Sequence, residues 1–184
     1  MKIIYMRHSE PERNLTDKLG LIGYGRELAP LTPNGIAMAD EAAKSPMLKD
    51  AEIIVSSPLT RALQTAGIIA RHTGLLIHVE IGLQERRIDL SQKLPFSEAE
   101  HLWAEYHAAR GVWPENKQHN WESIDMQQRR LKATLDKYLH YDKIIVVAHY
   151  EVGQRLSAEK LDFCGMVEID YDENFEFLSW NRDE

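Results

Sequence analysis

Arg7-His8 follows directly on an apolar run, Lys2–Met6, and is a pairing suited to phosphoryl chemistry. An imidazole nitrogen is nucleophilic near neutral pH, and a guanidinium fork can hold two phosphate oxygens in parallel hydrogen bonds. The arrangement recurs late in the chain, where Val146-Val147-Ala148 runs into His149. Between them, Ser56-Ser57-Pro58-Leu59-Thr60-Arg61 closes a second apolar run and opens a helical pattern. Arg61 then sits in a first turn, where the amino end of a helix already favours an anion. Leu83-Gln84-Glu85 adds a carboxylate just beyond a further run, Leu76–Glu80, where it could protonate a leaving oxygen. Taken singly, Arg61 reads as a solvated helix arginine, His149 as a structural histidine and Glu85 as a surface acid. The chemistry lies in the combination.

These residues need a scaffold that brings them to one edge. Lys2–Met6, Glu52–Ser56 and Lys143–Ala148 read as buried parallel strands, rich in Ile and Val, with Leu76–Glu80 as their neighbour. Helices are expected from Thr32-Pro33, with Thr32 as N-cap and Pro33 at the first position, and over Leu59–His72, which Gly74 ends. Two more are expected over Ser97–Ala109 and Glu122–Leu139. The tail reads as a hairpin, Met166–Tyr171 and Phe175–Trp180, turning at Asp172-Glu173-Asn174. The sum is a single α/β domain over residues 1–184, a three-layer α/β/α sandwich with a mostly parallel central sheet and an antiparallel edge strand. Ligands of such sheets bind beyond the carboxyl ends of the strands, where His8 and His149 both lie.

In this order the segments resemble the histidine phosphatase superfamily, the phosphoglycerate mutase-like family. Its Arg-His-Gly-Glu-x-x-x-Asn opening appears as Arg7-His8-Ser9-Glu10-Pro11-Glu12-Arg13-Asn14. Leu31-Thr32-Pro33-Asn34-Gly35 matches its Leu-Thr-x-x-Gly element, and Ser57–Ala66 its Ser-x-Leu-x-Arg-x-x-Gln-Thr-Ala element. The resemblance implies hydrolysis of a phosphomonoester through a phosphohistidine on His8. Arg7, Arg61 and a protonated His149 would surround the transferring oxygens, Asn14 would add to the phosphate pocket, and Glu85 would be the acid. It implies no metal and no cofactor. Three departures bear on the substrate: Ser9 replaces the usual glycine, Pro11 stands where mutases carry Ser or Thr, and Tyr150-Glu151 replaces Gly-Gly. They weigh against a mutase and leave a weakly catalytic, regulatory binder of a phosphorylated ligand as an alternative from another class.

With 184 residues, 43% hydrophobic and 28% charged, the chain can build an unaided core. A net charge of -7 argues against nucleic acid as a partner, and the apolar runs are strand-sized, which argues against a membrane. The expected partner is a small phosphorylated substrate. The lone Cys164 excludes an internal disulfide, and the lack of a leader pattern at the amino terminus points to the cytoplasm. A cysteine-phosphatase loop would require arginine at Asp170, and a calcium loop would require glycine at Phe175 and glutamate at Asn181. The remaining histidines (72, 78, 101, 107, 119 and 140) show no metal-ligand spacing and are expected at the surface. Arg86-Arg87 reads equally as an extension of the positive field or as a solvated pair. The aromatic stretch around Leu102, Trp103 and Tyr106 reads as core more than as binding wall. Trp121-Glu122-Ser123 with Arg129 echoes a weaker family element.

Overall fold

Five strands carry the site at one edge of their sheet. The computed structural model describes residues 1–115 and 117–180; the last four positions of the expected domain and Asn181 of the rejected calcium loop lie outside them. The strands β1 (Lys2–Arg7), β2 (Ile53–Ser56), β3 (Ile77–Val79), β4 (Lys143–Ala148) and β5 (Met166–Asp170) are ordered β3-β2-β4-β1-β5. Four run parallel, and β5 pairs antiparallel with β1, from Lys2 opposite Asp170 to Met6 opposite Met166. Among the described residues six α-helices accompany them: α1 (Arg13–Lys18), α2 (Pro33–Ala42), α3 (Thr60–Thr73), α4 (Phe96–Ala108), α5 (Ile124–Leu135) and α6 (Tyr150–Leu156).

Successive side chains of a strand point to opposite faces, so both faces of this apolar sheet need cover. On one face Ile3, Tyr5, Val55 and Val146 pack with Leu131 and Leu135 of α5 and Val152 and Leu156 of α6. On the other, Ile4, Met6, Ile54 and Ile145 pack with Ala62, Ala66 and Ile69 of α3. The result is the expected three-layer sandwich. Gly153 lets α6 approach β1, since a Cβ there would lie 2.8 Å from the ring of Tyr5.

Helix ends follow the sequence grammar with some shifts. Thr32 accepts a hydrogen bond from the Gly35 amide at 2.8 Å, with Pro33 as first residue of α2, and Gly74 ends α3 at φ 74°. The expected long helix starts instead after Ser123, whose hydroxyl accepts from Met126 N, and breaks at Leu135 into a tighter 3-10 turn over Asp136–Tyr138. The tail corrects the sequence reading, because Phe175–Trp180 forms no strand. Phe175 and Phe177 turn inward beside Tyr171. The Leu178 amide donates to Arg155 O at 2.9 Å, while Arg155 Nη1 donates to the carbonyls of Leu178 and Ser179. These backbone groups are satisfied from α6 without a partner strand. The short helices α1 and α6 have no sequence signal of their own.

Candidate active site

The carboxyl ends of β1, β4 and β2 lie side by side, and two backbone hydrogen bonds align the residues just beyond them. His8 N donates to Ala148 O at 2.9 Å and Ser57 N to Val147 O at 3.0 Å, so His8, His149 and Ser57 leave the sheet together. The two imidazoles meet edge to face with centroids 5.1 Å apart.

His8 is held in one tautomer. Its Nδ1 lies 2.7 Å from Ser9 O, which can only accept, so Nδ1 carries the proton and Nε2 is left as the bare nitrogen. That Nε2 accepts from Arg61 Nε at 3.0 Å. Burial, and then the positive charge of Arg61, hold the His8 pKa well below the ordinary 6.5. A neutral, oriented imidazole beside a guanidinium is what a nitrogen nucleophile needs. His149 is fully buried, and its Nε2 lies 2.7 Å from Ser57 Oγ. Burial, then the charges of Arg61 and His8, hold its pKa well below the ordinary 6.5 in the unliganded protein. Its Nδ1 is buried without a hydrogen-bond partner among the described residues.

Beyond His8 opens a cavity of about 640 Å³, whose lining includes Arg7, Arg13, Glu27, Arg61, Glu85 and Tyr150. Arg7 donates to Leu161 O at 2.9 Å, and its guanidinium lies 4.4 Å from the centre of the Phe163 ring and 5.0 Å from that of Tyr150. Arg61 is 1% exposed, and its Nη1 donates to Glu27 Oε2 at 2.5 Å. Asn14 stands apart from this set: it lies exposed on α1 and does not line the cavity, whereas its neighbour Arg13 does. Among the described residues no group of three or more His, Cys, Asp or Glu side chains could hold a metal ion.

Glu85 Oε1 accepts from Arg86 N at 2.9 Å and Oε2 from Glu151 N at 3.4 Å. Burial, reinforced by the charge of Glu151, pushes its carboxyl above the ordinary 4.5. Asp89, the nearby carboxylate that could compete for an acid's role, behaves oppositely. Burial opposes its ionisation, yet hydrogen bonds from Ser91 Oγ and from the amides of Leu94, Lys93 and Ser91 override this and bring its pKa down to about 2. Asp89 organises its loop as a carboxylate that is ionised near neutral pH.

A family model described as histidine phosphatase superfamily (branch 1) matches residues 3–171. The chain belongs to the histidine phosphatase superfamily. It is a phosphoric monoester hydrolase. It is 31% identical over 161 residues to "Putative phosphoserine phosphatase 2" of Hydrogenobacter thermophilus, covering 81% of this chain and 73% of that one. Among solved structures it is similar to the alpha-ribazole phosphatase of Shigella flexneri, with TM-score 0.69, 22% identity and coverage of 99% and 96% of the two chains. It is also similar to a phosphoserine phosphatase mutant of Entamoeba histolytica solved with phosphoserine, with TM-score 0.65, 25% identity and coverage of 98% and 95%.

Further motif residues of the superfamily hold the loop that follows His8 in place. Glu10 accepts from the Thr32 hydroxyl and from Asn34 Nδ2, tying the opening motif to the start of α2. Gly35 is required by proximity, since a Cβ there would lie 2.4 Å from Glu10 O. Gln64 Oε1 accepts from Leu31 N at 2.6 Å, and Thr65 Oγ1 from Ser9 N at 3.0 Å. Ser9, departing from the family glycine, has no positive φ and uses its hydroxyl on Gly35 O at 2.6 Å. Tyr150 does line the cavity, whereas Glu151 lies behind it with its carboxylate 3.7 Å from Arg86.

Other expectations are corrected or refined. Arg86, 7% exposed, stacks 3.8 Å over Tyr106, whereas Arg87 is partly exposed and donates to Glu122; both line the cavity. The buried Glu122 pairs with Arg130, while Arg129 bonds Asp125 on the surface. Arg130 also donates to Gly82 O, bracing the segment before Glu85. Leu102 and Tyr106 form a core with Trp121 and Ile124. His107 and His119 are half-buried against Trp103 and Trp121 instead of lying on the surface. Arg13 and Glu27 escape sequence reasoning: neither falls on a motif position, and only the folded approach of α1 and the 23–28 segment to Arg61 marks them.

Proposed function

We propose that the protein is a metal-independent phosphatase that hydrolyses a phosphomonoester through a phosphohistidine on His8. The observation that carries this reading is the bare Nε2 of His8, fixed by Ser9 O behind it and facing a cavity rimmed by arginines. The Nε2 lone pair attacks phosphorus as the ester P–O bond breaks, and Glu85 delivers its proton to the departing alkoxide. Water then attacks the phosphohistidine, giving its proton back to Glu85; the N–P bond breaks, and inorganic phosphate and neutral His8 are regenerated. Charge spreads over the phosphoryl oxygens in these steps, and Arg7, Arg61 and Arg13 lie where they can offset it without a metal. His149, neutral in the unliganded protein, becomes easier to protonate once a phosphoryl group brings negative charge beside it.

The substrate is a phosphorylated small molecule. A cavity of about 640 Å³, with Tyr24, Ile88, Leu94 and Phe163 among its walls, has room for a leaving group larger than serine. The relative's name makes phosphoserine the first ester to assay, with bulkier esters beside it. The reading is tested by brief incubation with a ³²P-labelled ester and an alkaline quench in excess chelator. Acid-labile label should appear on the wild type and be absent from His8→Ala. Label that survives the substitution, or that requires added magnesium, overturns the mechanism.

A further inference from the structure

The arginines that line the cavity are told apart by their partners. Arg87 is taken by Glu122, Arg86 faces Glu151, and Arg26 is bound to Asp17. Arg61 and Arg13, from α3 and α1, instead converge on one carboxylate inside the cavity, that of Glu27. Arg61 Nη1 lies 2.5 Å from Glu27 Oε2, and Arg13 Nη1 lies 3.7 Å from Glu27 Oε1. The same Arg61 guanidinium donates its Nε–H to the His8 nitrogen that must attack phosphorus. Arg61 is therefore held at both ends. One end is on a carboxylate, and the other masks the nucleophile's only lone pair.

We infer that Glu27 is a built-in competitor for the phosphoryl group, a specificity-determining residue that sets how tightly this site takes phosphate esters. The inference rests on the phosphatase reading above. A carboxylate offers two anionic oxygens to two guanidiniums, as a phosphoryl group would. An incoming ester must displace Glu27 from Arg61 and Arg13, and in doing so frees the Arg61 Nε–H from His8. The displacement is feasible because the Glu27 side chain is 29% exposed, unlike the buried Arg61 it holds, and can rotate into water. Its carrier segment permits this: Gly23–Leu28 is a short 3-10 turn with no buried residue. Competition of this kind weakens the grip on substrate and also on product phosphate, so the site does not hold its own product.

A second role, positioning Arg61 for catalysis, has the opposite consequence: removing the carboxylate would then weaken anion binding. Calorimetric titration with inorganic phosphate separates the two and needs no turnover. In Glu27→Gln, phosphate should bind roughly ten- to hundred-fold more tightly than in the wild type, the equivalent of one charge-assisted hydrogen bond no longer displaced. The KM for a hydrolysed ester should fall in parallel. Glu27→Asp, which keeps the charge but shortens its reach, should also bind phosphate more tightly and carries the test if the Gln variant fails to fold. Unchanged or weaker phosphate binding in either folded variant overturns the inference, whether or not the wild type hydrolyses esters. A wild type that hydrolyses no ester overturns the phosphatase reading instead, and one that also binds no phosphate overturns both.

Discussion

The pairing of Glu85 and Asp89 shows how environment assigns a role to each of two carboxylates four positions apart. Glu85 accepts two backbone amides but is half-buried near Glu151, so its carboxyl is raised towards the neutral form an acid requires. Asp89 accepts from Ser91, Lys93, Leu94 and Asn120 and stays ionised, with a pKa of about 2. Glu85→Gln should therefore slow hydrolysis of alkyl esters by roughly 10² to 10⁴, while aryl esters, whose leaving groups need little protonation, suffer much less. In the wild type kcat/KM should fall as pH rises through the raised pKa of Glu85, and the variant should lack that fall. Rates for paired alkyl and aryl phosphates across pH check both points. If Asp89→Asn, and not Glu85→Gln, abolishes the alkyl-ester rate selectively, the assignment is wrong.

At the scale of elements, motif glycines and polar residues act as spacers and ties between segments. Gly35 lies in α2, where alanine on propensity alone would stabilise by about 0.5–1 kcal/mol. The 2.4 Å approach to Glu10 O reverses the sign. Gly35→Ala should destabilise by about 1–3 kcal/mol, as overpacking does, and reduce activity by moving the loop after His8. A urea midpoint at or above the wild-type value would contradict this. The sequence carries the positions of these ties without their geometry. His8, Arg61 and His149 are legible because each sits where an apolar run ends or a helix opens, and such breaks are written locally. Asn14 and Arg13 are not distinguishable, because which of two adjacent residues faces the cavity depends on how α1 packs. Glu27 is invisible for the same reason. The 175–180 tail alternates like a strand, yet Arg155 and Gln128 satisfy its carbonyls from α6 and α5. No local pattern encodes that rescue.

At the scale of the whole molecule, the site makes stability depend on pH. His8 and His149 both have folded-state pKa values well below the ordinary 6.5, so below that pH the unfolded chain binds more protons than the folded one. Their contribution is complete above pH 6.5 and is lost as pH falls, each adding a slope of up to about 1.4 kcal/mol per pH unit. Glu85, with its raised pKa, acts in the opposite sense at the acid end of that range. Urea unfolding of wild type and His149→Gln between pH 7.5 and 5, a range chosen around the ordinary value of about 6.5, isolates one of these slopes. The variant should be less stable at pH 7.5 but flatter with pH, and equal slopes would show that His149 is not held neutral.

The strand order also has a history in time. β1 is paired on both sides by strands made much later: Lys2 meets Lys143 on β4 and Asp170 on β5. A chain emerging at about 5–20 residues per second carries Ile3-Ile4-Tyr5-Met6 without a strand partner for on the order of ten seconds before either neighbour exists. His8 is thus synthesised long before the strands that place it, so a nascent chain stopped short of β4 lacks the Ala148 carbonyl that its amide bonds in the folded protein. The geometry of this site is completed only when the ribosome reaches His149.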